Sequence, residues 1–264
     1  METLTSISDD CPYRECDGTG LIWIKDNKEN REFMRECRCK EIKALERKLR
    51  GARIPDEFKQ TTINSFDINL YTKQESKERA ITAKRIAGNY VKKFPLMVEQ
   101  GKGLYLFSKT KGSGKTRLAA SIMNALLQVH DTKENPLSIY YSPAADLLAE
   151  IKRTFGEESP VSSSDIIDAV KGVDVLILDD IGVEKVSDWV EETFTRILDY
   201  RLQHKKVTIF TSNLELDELD EKYPQGRISS RIEKMTFPVK MPDEKIRSLL
   251  AQKENEDLLD LLLE

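Results

Sequence analysis

The residues with the clearest chemistry are Lys111-Gly112-Ser113-Gly114-Lys115-Thr116. Glycines let backbone N–H groups turn toward an anion, and a helix starting just after them adds its positive dipole end. The apolar run Gly103–Phe107 precedes this loop, and a helical pattern follows it. Strand, glycine loop, Lys-Thr and helix is the layout of a phosphate-binding P-loop. In that layout Gly112, Ser113 and Gly114 cradle phosphate oxygens and Lys115 reaches the β- and γ-phosphates. The Thr116 hydroxyl ligates magnesium. The usual pattern opens with a glycine where this chain has Lys109.

The apolar run 173–178 ends in Asp179-Asp180. It reads as a buried strand delivering two carboxylates at its C-terminal end, where open α/β sheets place ligands. Asp179 is expected to hold magnesium. Asp180 is expected to orient or deprotonate the attacking water, which makes the chain an ATPase. Asp is one methylene shorter than the more usual Glu, so slow hydrolysis is expected.

All four cysteines, Cys11, Cys16, Cys37 and Cys39, fall in the first 39 residues. Between the pairs lie Gly20-Leu21-Ile22-Trp23-Ile24, a polar turn at 26–28 and Arg31-Glu32-Phe33-Met34, a β-hairpin pattern with a cysteine pair at each end. Four thiolates in this arrangement suit tetrahedral zinc, which would supply much of the folding free energy of so small a module. Free thiols or two disulfides are the other readings. His130 and His204 each lie near an expected helix C-terminus, where they complement the dipole.

The elements that must position these groups alternate. Helices are expected at 73–93 (stopped by Pro95), after the P-loop, at 144–155 and at 187–203. Strands are expected at 103–107, 137–141, 173–178, 206–211 and 235–239. Such alternation predicts an α/β fold with a parallel sheet covered by helices on both faces. Before it, 40–49 reads as a charged helix and 51–56 as a linker; 131–136 reads as a polar turn, 156–164 as a Ser-rich loop and 254–264 as a short helix or mobile tail. The expected division is a zinc module at 1–40, a helical linker at 41–65, an ATPase domain at 66–252 and a tail at 253–264. At 264 residues, 33% charged and net −4, any DNA contact must be a local patch. The chain shows no signal-peptide pattern and no apolar run long enough to span a bilayer, so a cytoplasmic protein is expected.

Further segments carry a family resemblance. Thr208-Ile209-Phe210-Thr211-Ser212-Asn213 resembles the sensor-1 strand of AAA+ ATPases. Gly226-Arg227-Ile228-Ser229-Ser230-Arg231-Ile232 resembles the segment that carries the arginine finger of initiator-type AAA+ proteins, and Arg247 resembles a sensor-2 arginine. Together with the cysteine module, Ile54-Pro55-x-x-Phe58 and Leu178-Asp179-Asp180-Ile181-Gly182, residues 10–252 resemble the DnaC/DnaI-type helicase loaders. IstB-type transposition helper ATPases share that core. The departures are Lys109, Asp180 and the C-x4-C spacing.

The resemblance implies an AAA+ (ASCE) P-loop domain with ATP, magnesium and zinc as cofactors. Asn213 would hold the attacking water, Arg231 would act as the finger in a neighbouring subunit with Arg227 assisting, and Arg247 would touch nucleotide. The implied activity is loading the hexameric replicative helicase onto single-stranded DNA. The zinc module would grip the helicase, and the AAA+ domains would assemble head to tail. Lys152, Phe155 and Trp189 would contact single-stranded DNA, with aromatic stacking supplying affinity without sequence readout. The competing readings are a transposition helper ATPase, and an ATP-binding switch protein with little hydrolysis.

Overall fold

The computed structural model describes residues 2–9, 11, 13–27, 29–40, 54–132, 134, 136–155 and 161–263. The helical stretch expected beyond Lys40, residues 51–53 of the linker and residues 156–160 of the Ser-rich loop lie outside them, as do Lys28, Lys133 and Asn135 in the two polar turns. The chain divides into two units, Met1–Gly51 with Ile151–Ala169, and Ala52–Glu150 with Val170–Glu264.

In the first unit, β1 (Glu2–Thr3), β2 (Leu21–Asp26) and β3 (Arg31–Glu36) form an antiparallel sheet in that order. The β2–β3 register pairs Leu21 with Glu36 and Asp26 with Arg31. Antiparallel pairing therefore brings both cysteine pairs to the same open end of the hairpin. Cys37 N donates to Gly20 O at 2.9 Å there.

The second unit begins with α1 (Gln74–Lys92), α2 (Phe94–Gln100), β4 (Gly103–Phe107), α3 (Lys115–His130) and β5 (Ile139–Pro143). The chain continues through α4 (Ala144–Arg153) and α5 (Ser163–Gly172), which span the boundary between the units, to β6 (Val175–Ile181), α6 (Asp188–Gln203) and β7 (Val207–Ser212). It ends with α7 (Leu216–Lys222), α8 (Arg227–Met235), β8 (Thr236–Lys240) and α9 (Ile246–Leu263). The five strands are all parallel, in the order β5-β6-β7-β4-β8. Strands β4 and β6 carry unbroken apolar runs because both of their faces are buried, whereas the edge strand β8 leaves Phe237 exposed. Leu104, Leu106, Val175, Ile177, Val207 and Ile209 pack against Leu118, Ile122, Met123 and Leu126 of α3. Among the described residues, no helix is long and apolar enough to cross a membrane.

Pro95 does not simply stop a helix. It sits in the first turn of α2, where a missing N–H leaves no bond unmade. Helix α5 starts at the end of the stretch expected as a Ser-rich loop and fills 165–172, where the sequence suggested no element. Ser162 Oγ accepts from Asp165 N at 3.2 Å, and the Asp165 carboxylate accepts from Ser162 N at 2.9 Å, a reciprocal cap that starts a helix inside a Ser-rich stretch. A similar cap between Glu215 and Glu218 starts α7, also absent from the sequence reading. The described part of the expected helical linker packs on the core of the second unit. Ile54 and Phe58 are buried in it, and Asn124 Nδ2 of α3 lies 3.0, 3.3 and 2.8 Å from the carbonyls of Phe58, Lys59 and Thr61.

Arg201 of α6 is fully buried. Burial pushes its pKa down, but its guanidinium donates to the carbonyls of Val170, Lys171 and Val173, to Thr208 Oγ1 and to Val207 O. It thus satisfies the carbonyl end of α5 and the entries to β6 and β7 at once. Arg201→Met should strand several of these acceptors and destabilise the domain by about 3 kcal/mol or more. An unchanged urea midpoint would contradict this reading.

Candidate functional site

The loop after β4 folds back through Gly112 (φ +73°) and Gly114 (φ +95°) before α3 begins at Lys115. At Gly114 a Cβ would lie 2.9 Å from Tyr71 Oη and 3.1 Å from the Phe66 ring, so both conformation and space demand glycine. Tyr71 Oη also donates to Ser113 O at 2.8 Å. On the other side, Gly112 O accepts from the first backbone N–H groups of α9, Ile246 at 2.9 Å and Arg247 at 3.2 Å. Lys109, in the position of the missing glycine, is exposed and pairs with Glu218 at 2.8 Å. The loop entrance therefore tolerates it.

Lys115 is buried, with Nζ 2.9 Å from Thr110 O and 3.2 Å from Ser108 O. Burial lowers its pKa to about 8, against the pull of Asp180, Asp179 and Asp243. Opposite it, β6 carries an irregularity between Leu178 and Ile181 where it pairs with β7. Asp180 lies in it with φ +56°, a conformation Asp tolerates better than bulkier residues. The Asp179 carboxylate accepts from Thr211 Oγ1 at 2.5 Å, from Tyr141 Oη at 2.7 Å and from Thr116 Oγ1 at 3.0 Å. Asn213 Nδ2 donates to Asp180 Oδ1 at 2.5 Å, while Asn213 Oδ1 is buried without a hydrogen-bond partner. Burial, and then the charge of Asp179, raise the Asp180 pKa.

Lys115, Thr116, Tyr141, Asp179, Asp180 and Asn213 line one cavity of about 500 Å³. One end is polar, formed by residues 111–116, Asp179, Asp180 and Asn213; Pro55, Phe58, Ile246, Leu250 and Ala251 make the other side apolar. The order β4, β7, β6 explains the convergence, because β7 lies between the P-loop strand and the acid strand and carries Asn213 to a point between them. The adjacent Thr116 hydroxyl and Asp179 carboxylate are hard oxygen donors that fit magnesium. The unpaired Asn213 Oδ1 fits an acceptor for a water O–H.

Arg247 also lines the cavity, from the first turn of α9. Arg227 and Arg231 do not line it. Arg227 is exposed; the Arg231 guanidinium pairs with Asp199 of α6 (Nη2 to Oδ2, 2.8 Å) and Nη1 donates to Arg227 O at 2.7 Å. Ser187 caps α6 by accepting from Val190 N at 3.4 Å, and Trp189 is half-buried in the first turn. Lys152 is exposed; Phe155 lies beyond the end of α4 with 58% of its surface exposed, so it does not complete the buried stripe of Leu147, Leu148 and Ile151.

Sequence reasoning assigned no role to Tyr71, Tyr141, Thr211 or Glu184. Thr211 sits near the C-terminal end of β7, the one signal that marks it, whereas Tyr141 lies at the middle of β5. Glu184 is buried, accepts from Gly182 N at 3.1 Å and from Tyr223 Oη, and burial raises its pKa.

In the first unit, the sulfurs of Cys11, Cys16, Cys37 and Cys39 are all buried and within 4.8 Å of one another. Cys11 and Cys37 lie 3.8 Å apart and Cys16 and Cys39 3.3 Å apart, so neither pair is a disulfide. Tetrahedral zinc with bonds of about 2.3 Å needs sulfurs about 3.8 Å apart, so the cluster fits it. Zinc here would be structural, tying both ends of the hairpin together.

A family model for IstB-like ATP binding proteins matches residues 30–233. The chain belongs to this family. Among similar proteins, the replicative helicase loader DnaI of Bacillus subtilis is 32% identical over 160 residues, covering 56% of this chain and 48% of that protein. The match thus spans about half the length of that relative. The replicative helicase loader DnaC of Escherichia coli is 28% identical over 182 residues, covering 67% of this chain and 68% of the other. A crystal structure of DnaI superposes with a TM-score of 0.56 at 27% identity, covering 74% of this chain and 95% of that one. The fold is that of these AAA+ proteins, a five-stranded parallel sheet flanked by helices.

Two outcomes follow from this geometry. Bound phosphate favours the charged form of Lys115, whose pKa before binding is about 8. ATP affinity should be full below that pH and fall as pH rises through it, and Lys115→Arg, always charged, should flatten the fall. Fluorescent-ATP titrations across this range check it; an unchanged wild-type affinity would contradict it. The purified chain should also carry one zinc per molecule by elemental analysis. Replacing Cys37 and Cys39 with Ser should abolish zinc binding, whereas a metal-free native protein would contradict the cluster's assignment.

Proposed function

We propose that this chain is an ATP-dependent loader of a hexameric replicative DNA helicase, acting on single-stranded DNA in the cytoplasm. The observation that carries its ATPase half is the convergence of Lys115, Asp179, Asp180 and Asn213 on one cavity. The names of its relatives support the loader half.

In this reading the loop of Gly112, Ser113 and Gly114 binds the phosphates, and Lys115 leaves its carbonyl partners to neutralise them. Thr116 and Asp179 would hold magnesium, which neutralises charge developing on the phosphoryl oxygens. Asn213 Oδ1 accepts one hydrogen of the attacking water, and Asp180, its pKa raised, takes the proton. Arg247 reaches the nucleotide from α9. Arg231, released from Asp199, and Arg227 act on a neighbouring subunit's site, so turnover is slow until head-to-tail assembly. Lys152, Phe155 and Trp189 contact single-stranded DNA, and the cysteine module with its zinc grips the helicase.

A second reading, a transposition helper ATPase, is favoured by the family match. The two separate on their partners. The tagged chain, incubated with a native host lysate and ATP, should retain a hexameric replicative helicase, identified by mass spectrometry. Replacing Cys37 and Cys39 with Ser should remove it. Recovery of a transposase instead would overturn the loader reading and leave the ATPase standing.

A further inference from the structure

Tyr141 has no part in the mechanism above, yet its hydroxyl reaches that mechanism's central carboxylate. It lies in β5, paired with Ile177 of β6, and its ring is buried in the core of the second unit. Tyr141 lines the cavity, and its Oη donates to Asp179 Oδ2 at 2.7 Å. Thr211 Oγ1 occupies the other oxygen, Oδ1, at 2.5 Å. Thr116 Oγ1 lies 3.0 and 3.2 Å from the two oxygens.

A hydroxyl that ligates a cation does so through a lone pair and keeps its proton, so Thr116 would be drawn toward the metal while still facing Asp179. Tyr141 and Thr211 are not ligands; each holds one Asp179 oxygen from its own strand, independently of the metal. One comes from the strand on each side of β6, so together they stop the carboxylate from rotating. Partners of this kind, one shell out from the metal, typically change metal affinity or activity about 10–100-fold when removed.

We infer that Tyr141 is a positioning residue for magnesium, fixing the Asp179 carboxylate in the orientation that faces Thr116. The inference rests on the reading of this cavity as a magnesium–nucleotide site. Tyr141→Phe removes one oxygen and leaves the ring packing in place.

The test measures binding of a fluorescent ATP analogue in EDTA and along a magnesium titration, with manganese EPR reporting the cation directly. Affinity in EDTA should match wild type. The magnesium concentration that half-saturates the metal-dependent gain should rise about tenfold, with a parallel weakening of manganese binding. Thr211→Val, which removes the opposite donor, should shift the same quantity in the same direction. An unchanged magnesium requirement in Tyr141→Phe overturns the inference. So does an equal loss of affinity with and without metal, which marks a purely structural role. A wild-type chain that binds no nucleotide in either condition overturns the underlying reading, and this inference with it.

Discussion

The Asp179 carboxylate holds the second unit's chemistry together. It takes hydrogen bonds from Tyr141 on β5, Thr211 on β7 and Thr116 on α3, so two neighbouring strands and the P-loop helix meet on one side chain of β6. A buried carboxylate is tolerated only when its oxygens are satisfied, and each of these donors is fixed by its own element. Thr211 Oγ1 also accepts from Asp180 N at 2.8 Å, which links that hub to the bulge holding the second acid. Asn213 then joins Asp180, and the polar end of the cavity is complete. The parallel strand order places these residues together, and the hydrogen bonds fix their orientation.

The loop side of the cavity is held from outside the sheet. Tyr71 bonds the P-loop at Ser113, and α9 starts on the carbonyl of Gly112. Glu244, just before α9, accepts from the backbone N–H groups of Thr72 and Lys73 at 3.1 Å, at the start of α1. Asp243 bonds Ser108 Oγ at 2.8 Å, and Ser108 O is one of the carbonyls that hold Lys115. A short segment between β8 and α9 therefore touches both the helix that opens the domain and the loop that would hold phosphate. This arrangement gives the position of α9 a direct mechanical relation to the nucleotide loop.

Much of this was legible in the residues. Lys115, Thr116, Asp179, Asp180 and Asn213 stand at strand ends and a glycine loop, where period and turn chemistry announce them, and the cavity gathers all five. The cysteines were legible by count and position, although only antiparallel pairing explains how they meet. Tyr141 and Thr211 were not, because a buried hydroxyl in an apolar strand looks like packing until the neighbouring strand is known. Helices α5 and α7 were missed because local reciprocal caps, rather than apolar periodicity, start them. Arg231 carried a sequence signal for a role outside its own chain, and its pairing with Asp199 could not be read from spacing.

The central claim is that Thr116 and Asp179 share a cation at the phosphate end of this cavity. A crystal structure with a non-hydrolysable ATP analogue and manganese, read by anomalous scattering, tests it most directly. One manganese peak in contact with Thr116 Oγ1 and on the Asp179 side of the phosphates, with Asn213 facing the γ-phosphate, is the predicted result. Nucleotide bound elsewhere, or a metal peak remote from Asp179, would contradict the account.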